Sequence, residues 1–177
     1  MFAITKVIDR PWTHLSPRRI GRVPSGLGTP DRFILIGPDD APRLRIDLYF
    51  PCDSLVFPVD ARVLDAAVVI GFGDQVDIVP FSDAPVETQG LGSYFTRFYE
   101  ADGYLLAASG ADITRINSDG TIAWQSAMLA IDGVIIERIA DGVIHGWAGI
   151  DPPDDWRPFV IAVKTGAIIE RAKLTID

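Results

Sequence analysis

The sequence predicts an all-β protein whose short antiparallel strands group into blade-like, four-stranded repeats of about 37 residues. Three observations predict it. Apolar runs last only four to eight residues and are rich in Val, Ile, Phe, Tyr and Trp, which pack well on a pleated surface. Turn residues separate them: Gly71 and Gly73, Ser118-Asp119-Gly120, Asp132-Gly133, Asp141-Gly142 and Thr165-Gly166. Val68, Leu105 and Val143 begin similar stretches at spacings of 37 and 38 residues.

Composition narrows the class. A chain of 177 residues can bury one substantial core, or two small ones. With 48% hydrophobic and 23% charged residues, wholesale disorder is excluded. No run of uncharged apolar residues is long enough for a membrane helix. The opening MFAITKVIDRPW carries Lys6, Asp9 and Arg10 with no apolar run behind a basic start, so no secretory signal is expected. Cys52 is the one cysteine, which leaves no intramolecular disulfide and no cysteine cluster for a metal. These features predict a cytoplasmic protein with no cofactor, no metal and no membrane partner. The net charge of −8 argues against nucleic acid.

The elements follow in order. Residues 1–31 read as an N-terminal arm, with a strand-like FAITKVI followed by a Pro- and Gly-rich stretch over 11–31 in which no regular element is expected. Residues 1–32 hold six basic and two acidic residues, the remainder ten basic and 22 acidic, so a basic arm lies across an acidic body or offers a contact to an acidic partner. Residues 32–177 read as a single repeat domain. RFILIG opens it, and RLRIDLYF alternates, with Leu44, Ile46 and Leu48 on one face. SLVFPV, AAVVIG, QVDIVPF, YFTRFYEA, YLLAAS, DITRIN, TIAWQSAM, GVIIERIA, VIHGWA, FVIAVK and AIIERAKL continue the series. Helical spacing of Val63, Ala66, Ala67 and Ile70 offers a turn of helix within 59–70 as an alternative, and 124–131 offers a second.

Three repeats emerge, over 66–101, 102–140 and 141–177, with a fainter copy starting at Phe33. In each, an apolar strand meets small residues: Ile70-Gly71, Ala108-Ser109 and His145-Gly146. The second reads Tyr104 to Ser109, then Ser118-Asp119-Gly120-Thr121-Ile122-Ala123-Trp124; the third holds Val160 to Thr165, then Gly166-Ala167-Ile168-Ile169. These segments resemble blades of the quinoprotein-type and related β-propellers, in which a strand, a second strand and an Asp/Lys-x-Gly turn lead to a strand ending in Trp. Trp124 fits that pattern, whereas Glu170 departs from it. The resemblance implies stacked blades, since one blade does not bury both faces alone. The third repeat is short by a strand, and FAITKVI is expected to supply it by pairing with the last strand. A sandwich or barrel built from the same hairpins is the alternative architecture.

Chemistry-bearing motifs are sparse. There are two histidines, His14 in the arm and His145 in a strand. Asp151, Asp154 and Asp155 follow His145 in GIDPPDDWRP, where they are either solvated turn residues or a site for a cation or basic partner. Their spacing does not match an EF-hand loop. Cys52 stands beside Asp53, which opposes thiolate formation, so it reads as a structural thiol. No G-x-S-x-G frame surrounds Ser93 or Ser109, and Gly71 and Gly73 read as a hairpin turn rather than a phosphate loop. Trp124 reads as core. Trp147 and Trp156 flank the Asp-rich loop, where aromatics serve recognition or cap the core at the sheet ends.

The function expected is a non-enzymatic protein-binding module, for example one that neutralises a basic protein in an immunity-type role, or one that pairs with itself as a homodimer. The alternative is a small-molecule or carbohydrate-binding protein or enzyme. Either way the binding residues would be His145, Trp147, Asp151, Asp154, Asp155 and Trp156.

Overall fold

In the computed structural model the described residues are 2–50, 58–101, 103–151 and 155–171, with only the backbone described at Asp151. The chain packs as two compact units, Met1–Val56 and Phe57–Asp177. It thus divides after Val56, not after residue 31.

The first unit holds strands β1 (Phe2–Thr5), β2 (Arg18–Gly21), β3 (Arg32–Ile36) and β4 (Leu44–Tyr49), and the short helix α1 (Arg10–Thr13). They form one sheet in the order β1-β3-β4-β2, antiparallel except for β2, which runs parallel to β4. Pro11 sits in the first turn of α1, where its missing N–H costs nothing. Trp12 is buried against Phe33 and Leu35, and its indole N–H donates to Asp39 Oδ1 at 3.1 Å. Arg45 holds Asp47 with two hydrogen bonds of 2.7 and 2.9 Å. Two expectations are corrected here. Residues 11–31 do contain regular structure, because Trp12 and Ile20 are apolar anchors buried within a polar stretch. FAITKVI pairs with β3, Ile4 opposite Ile34, and not with the last strand of the chain.

The second unit is three four-stranded antiparallel meanders, none closed on itself. The first contains β5 (Asp60–Val63), β6 (Ala67–Phe72), β7 (Gln75–Pro80) and β8 (Glu87–Gly90). The middle one contains β9 (Phe95–Ala101), β10 (Tyr104–Ser109), β11 (Ile113–Asn117) and β12 (Ile122–Gln125). The last contains β13 (Val134–Ala140), β14 (Val143–Asp151), β15 (Asp155–Ala162) and β16 (Ile168–Arg171). The expected blade-like repeats are present, shifted by one strand from the sequence units. The turns at Gly103 and Gly142 join the first and second strands of a sheet, so a glycine turn marks a hairpin and not the boundary between repeats. The last sheet takes its first strand from residues 134–140, so it needs none from the N-terminus. The helical alternative over 59–70 is β5, a turn and β6; the Val68-Val69-Ile70 run is stiff at χ1 and favours the extended chain.

Successive sheets cover one another. Leu105 and Ala107 of β10 pack with Val69, Val76 and Ile78 of the preceding sheet. Leu106, the neighbour on the opposite face, packs with Ile136, Ile144, Phe159 and Ile161 of the last sheet. Two donors tie the middle and last sheets to one acceptor: Trp124 Nε1 and Arg115 Nη1 reach Val163 O at 2.8 and 3.0 Å. Gly166 has φ +70°, and a Cβ there would stand 2.6 Å from the Trp124 ring. Gly166→Ala is therefore expected to cost about 2 kcal/mol, from backbone strain plus displacement of the indole, read as a lowered unfolding midpoint.

Asp77 of β7 is buried, accepting from Thr88 Oγ1 at 2.7 Å and Gln75 Nε2 at 2.9 Å. Burial pushes its carboxyl above the usual 3.8, against those two hydrogen bonds. The folded state therefore takes up this proton before the unfolded state does. Asp77 adds stability below the unfolded value, and that stability is lost as pH rises through the folded value. Asp77→Asn keeps acceptor and shape without the desolvated charge. It is expected to be at least as stable at neutral pH and to lose this part of the pH dependence in melts run at rising pH from the ordinary carboxyl value of 3.8 upward.

Candidate functional site

The last sheet has two unlike faces. Ile136, Ile144, Ala148, Phe159 and Ile161 point into the core shared with the middle sheet. On the other face, cross-strand partners line up in rows. Ile135, Trp147 and Pro158 form one row on β13, β14 and β15. Arg138, His145, Val160 and Glu170 form the next. Trp156 stands opposite Gly149.

Three large apolar side chains on this face stay open to solvent: Ile135 is 44% exposed, Trp147 40% and Trp156 39%. They are held in place from below. A β-bulge between Ile136 and Arg138 turns Glu137 outward, and Trp147 Nε1 donates to its Oε2 at 3.2 Å. The Trp156 ring lies against Gly133, where a Cβ would stand 3.0 Å from it. Gly146 lies between His145 and Trp147. A Cβ there would come within 2.2 Å of Ile135 O and 2.5 Å of the Phe159 ring, so the strand fits its neighbour only as glycine. Asp155 and Arg157 form a fork-like pair, with Arg157 Nη2 donating at 2.6 Å and Nε at 2.9 Å. That hydrogen bonding holds the Asp155 carboxyl below the ordinary range and raises the Arg157 guanidinium.

The residues read from the sequence thus divide. His145, Trp147 and Trp156 share one face of one sheet. Asp151 pairs with Asp155 through the backbone at the tip of the β14–β15 hairpin, and Asp155 is occupied by Arg157. Asp154 lies outside the described residues, as does Cys52. Ile135, Glu137 and Pro158 were not legible as site residues. In Val134-Ile135-Ile136 three apolar residues run together, so alternation gives no sign of which one faces out.

Ile135, Trp147 and Trp156 stand open to solvent on the sheet surface. Two clefts of the second unit measure about 630 and about 550 Å³. The larger lies between β9 and β13, is lined by Tyr99, Glu100, Tyr104, Glu137 and Arg138, and so borders this face; the smaller lies by Pro80, Pro85 and Thr121. Neither includes His145, Trp147, Asp155 or Trp156. Among the described residues no three His, Cys, Asp or Glu side chains gather as metal ligands. No helix among them is long and apolar enough to cross a membrane.

No family model matches the chain, and no curated protein matches it. Among solved structures, the computationally designed Ika4 protein is similar with TM-score 0.46 and 10% identity, over 68% of this chain and 75% of that one. The computationally designed Ika8 protein is similar with TM-score 0.31 and 10% identity, over 63% of this chain; the match spans 48% of Ika8. At these scores neither likeness carries an argument about function.

Proposed function

We propose that this chain is a non-enzymatic protein-binding module, and that its contact surface is the outer face of the last sheet. The observation that supports this is the row Ile135–Trp147 with Trp156 beside it, apolar and exposed on a rigid strand framework. Aromatic residues fixed at the centre of a surface, with charged groups around them, are the usual anchors of a protein interface. Here Glu137 fixes Trp147 from the same face. Read as propeller-type blades, the sheets require a neighbour on each face, and the last one has an apolar face to offer.

The test is the native size of the protein in gentle extracts of its own cells. The wild type is expected to migrate as a larger species than one chain. Ile135→Ser combined with Trp147→Ser should return it to the size of one chain, with an unfolding midpoint close to that of wild type. Wild type migrating as a single chain overturns the reading, and so does a double variant that stays in the larger species.

A further inference from the structure

We infer that the cleft between β9 and β13 is a binding site for a neutral saccharide of one or two pyranose rings. This goes beyond the contact surface and does not depend on it. The first argument is that this seam between sheets stays open where its counterpart is closed. Arg62 stands opposite Val69, and Tyr99 opposite Leu106. Val69 and Leu106 are each turned to the following sheet, so Arg62 and Tyr99 occupy equivalent positions. Arg62 reaches across to the next sheet, its Nε donating to Glu100 Oε1 at 2.6 Å. Among the described residues no ion pair crosses in the same way from β9 to β13. A cleft of about 630 Å³ stands there instead, within the usual size of a small-molecule site.

The second argument is what the strands bring to the cleft. The β-bulge between Ile136 and Arg138 breaks the alternation of β13, so Glu137 and Arg138, sequence neighbours of opposite charge, both line it. The Arg138 guanidinium has no hydrogen-bond or ion-pair partner among the described residues. Glu137 takes the Trp147 indole on Oε2, which leaves Oε1 to accept from a ligand. Tyr99 Oη accepts from Ile136 N–H at 3.1 Å, which leaves its own proton to donate. Tyr104, with Arg115 at 4.4 Å from its ring centre, adds an aromatic wall. Glu100 is matched by Arg62 and Glu137 stands beside Arg138, so the charges around the cleft balance. Neither an anion nor a cation gains a net attraction there. A vicinal diol uses a carboxylate and a guanidinium together, because each hydroxyl both donates and accepts. The C–H face of a pyranose ring gives the aromatic wall its apolar partner.

Isothermal titration calorimetry on the purified full chain tests this, with glucose, galactose, mannose, N-acetylglucosamine, maltose and cellobiose as probes. At least one of them is expected to bind with a Kd of about 1 mM or tighter. Arg138→Met should weaken that binding at least about tenfold, and Tyr99→Phe should weaken it in the same direction, since each removes a donor. Glu87→Gln, in the smaller cleft, should leave it unchanged. Arg138→Met should unfold at the wild-type midpoint, because its guanidinium has no partner to lose, so its result stands even if Tyr99→Phe fails to fold. No binding by any of these sugars overturns the proposal. Binding that both cleft variants retain, or that Glu87→Gln abolishes, lies elsewhere and overturns it. Glycine or inorganic phosphate binding more tightly than every sugar overturns the neutral class. None of these outcomes depends on the native size of the protein, so the cleft and the contact surface stand or fall separately.

Discussion

Gly146→Ala is expected to cost about 3 kcal/mol, near the top of the range for overpacking a core. Its added Cβ would meet a backbone carbonyl oxygen, that of Ile135, at 2.2 Å, and the Phe159 ring at 2.5 Å on the same side. A flexible side chain could yield to such a contact. A carbonyl within a paired strand does so only by moving β13 away from β14. Denaturant unfolding measures the loss. Gly90→Ala is the control: nothing stands within 4 Å of a Cβ at that position, so the change should stay within about 0.5 kcal/mol. If both variants unfold at the same denaturant concentration, the register that places Gly146 beneath Ile135 is wrong, and the outward row of Ile135 and Trp147 falls with it.

Phe159→Ala is expected to cost about 4 kcal/mol, and Trp147→Ala less than about 1 kcal/mol, although the tryptophan is the larger side chain. Phe159 is 1% exposed, packed between the last two sheets, and its removal leaves a cavity that rigid strands do not fill. Trp147 lies one strand away on the opposite face of the same sheet, and its ring covers no part of the core. The comparison is made on dilute protein, where no partner contributes to stability. Equal losses would make Trp147 a core residue and remove the basis for a contact face.

Much of the fold was legible in the sequence because its signals are local. Short β-branched runs such as Val68-Val69-Ile70 and glycine turns such as Asp141-Gly142 each specify a strand or a hairpin by themselves. What was not legible depended on pairing. The spacing of Val68, Leu105 and Val143 carries the period of the repeat, but the turns do not say which hairpins share a sheet, so the sheet boundaries lie one strand away from the sequence units. The arm hides its structure for a related reason. Trp12 and Ile20 are single apolar residues among Arg and Pro, and only the tertiary contacts of Trp12 with Phe33 and Leu35 show that the stretch is anchored. At the candidate site, Trp147 and Trp156 stand out as aromatics flanking a loop. Ile135 does not, because its neighbour Ile136 is just as apolar and faces the core. Asp155 reads as part of an acidic loop, and only the folded hairpin shows that Arg157, two residues on, holds it.

The face of Ile135, Trp147 and Trp156 is proposed to meet another protein. Hydroxyl-radical labelling of the tryptophans, in the protein's own cells and in dilute purified protein, tests it most directly. In dilute solution Trp147 and Trp156 should react readily, while Trp12, 2% exposed, should be protected. In cells, labelling at Trp147 and Trp156 is expected to fall several-fold with Trp12 unchanged. Equal labelling of Trp147 and Trp156 in the two settings would contradict it, because a surface in use as a contact does not stay as open as it is in the isolated chain.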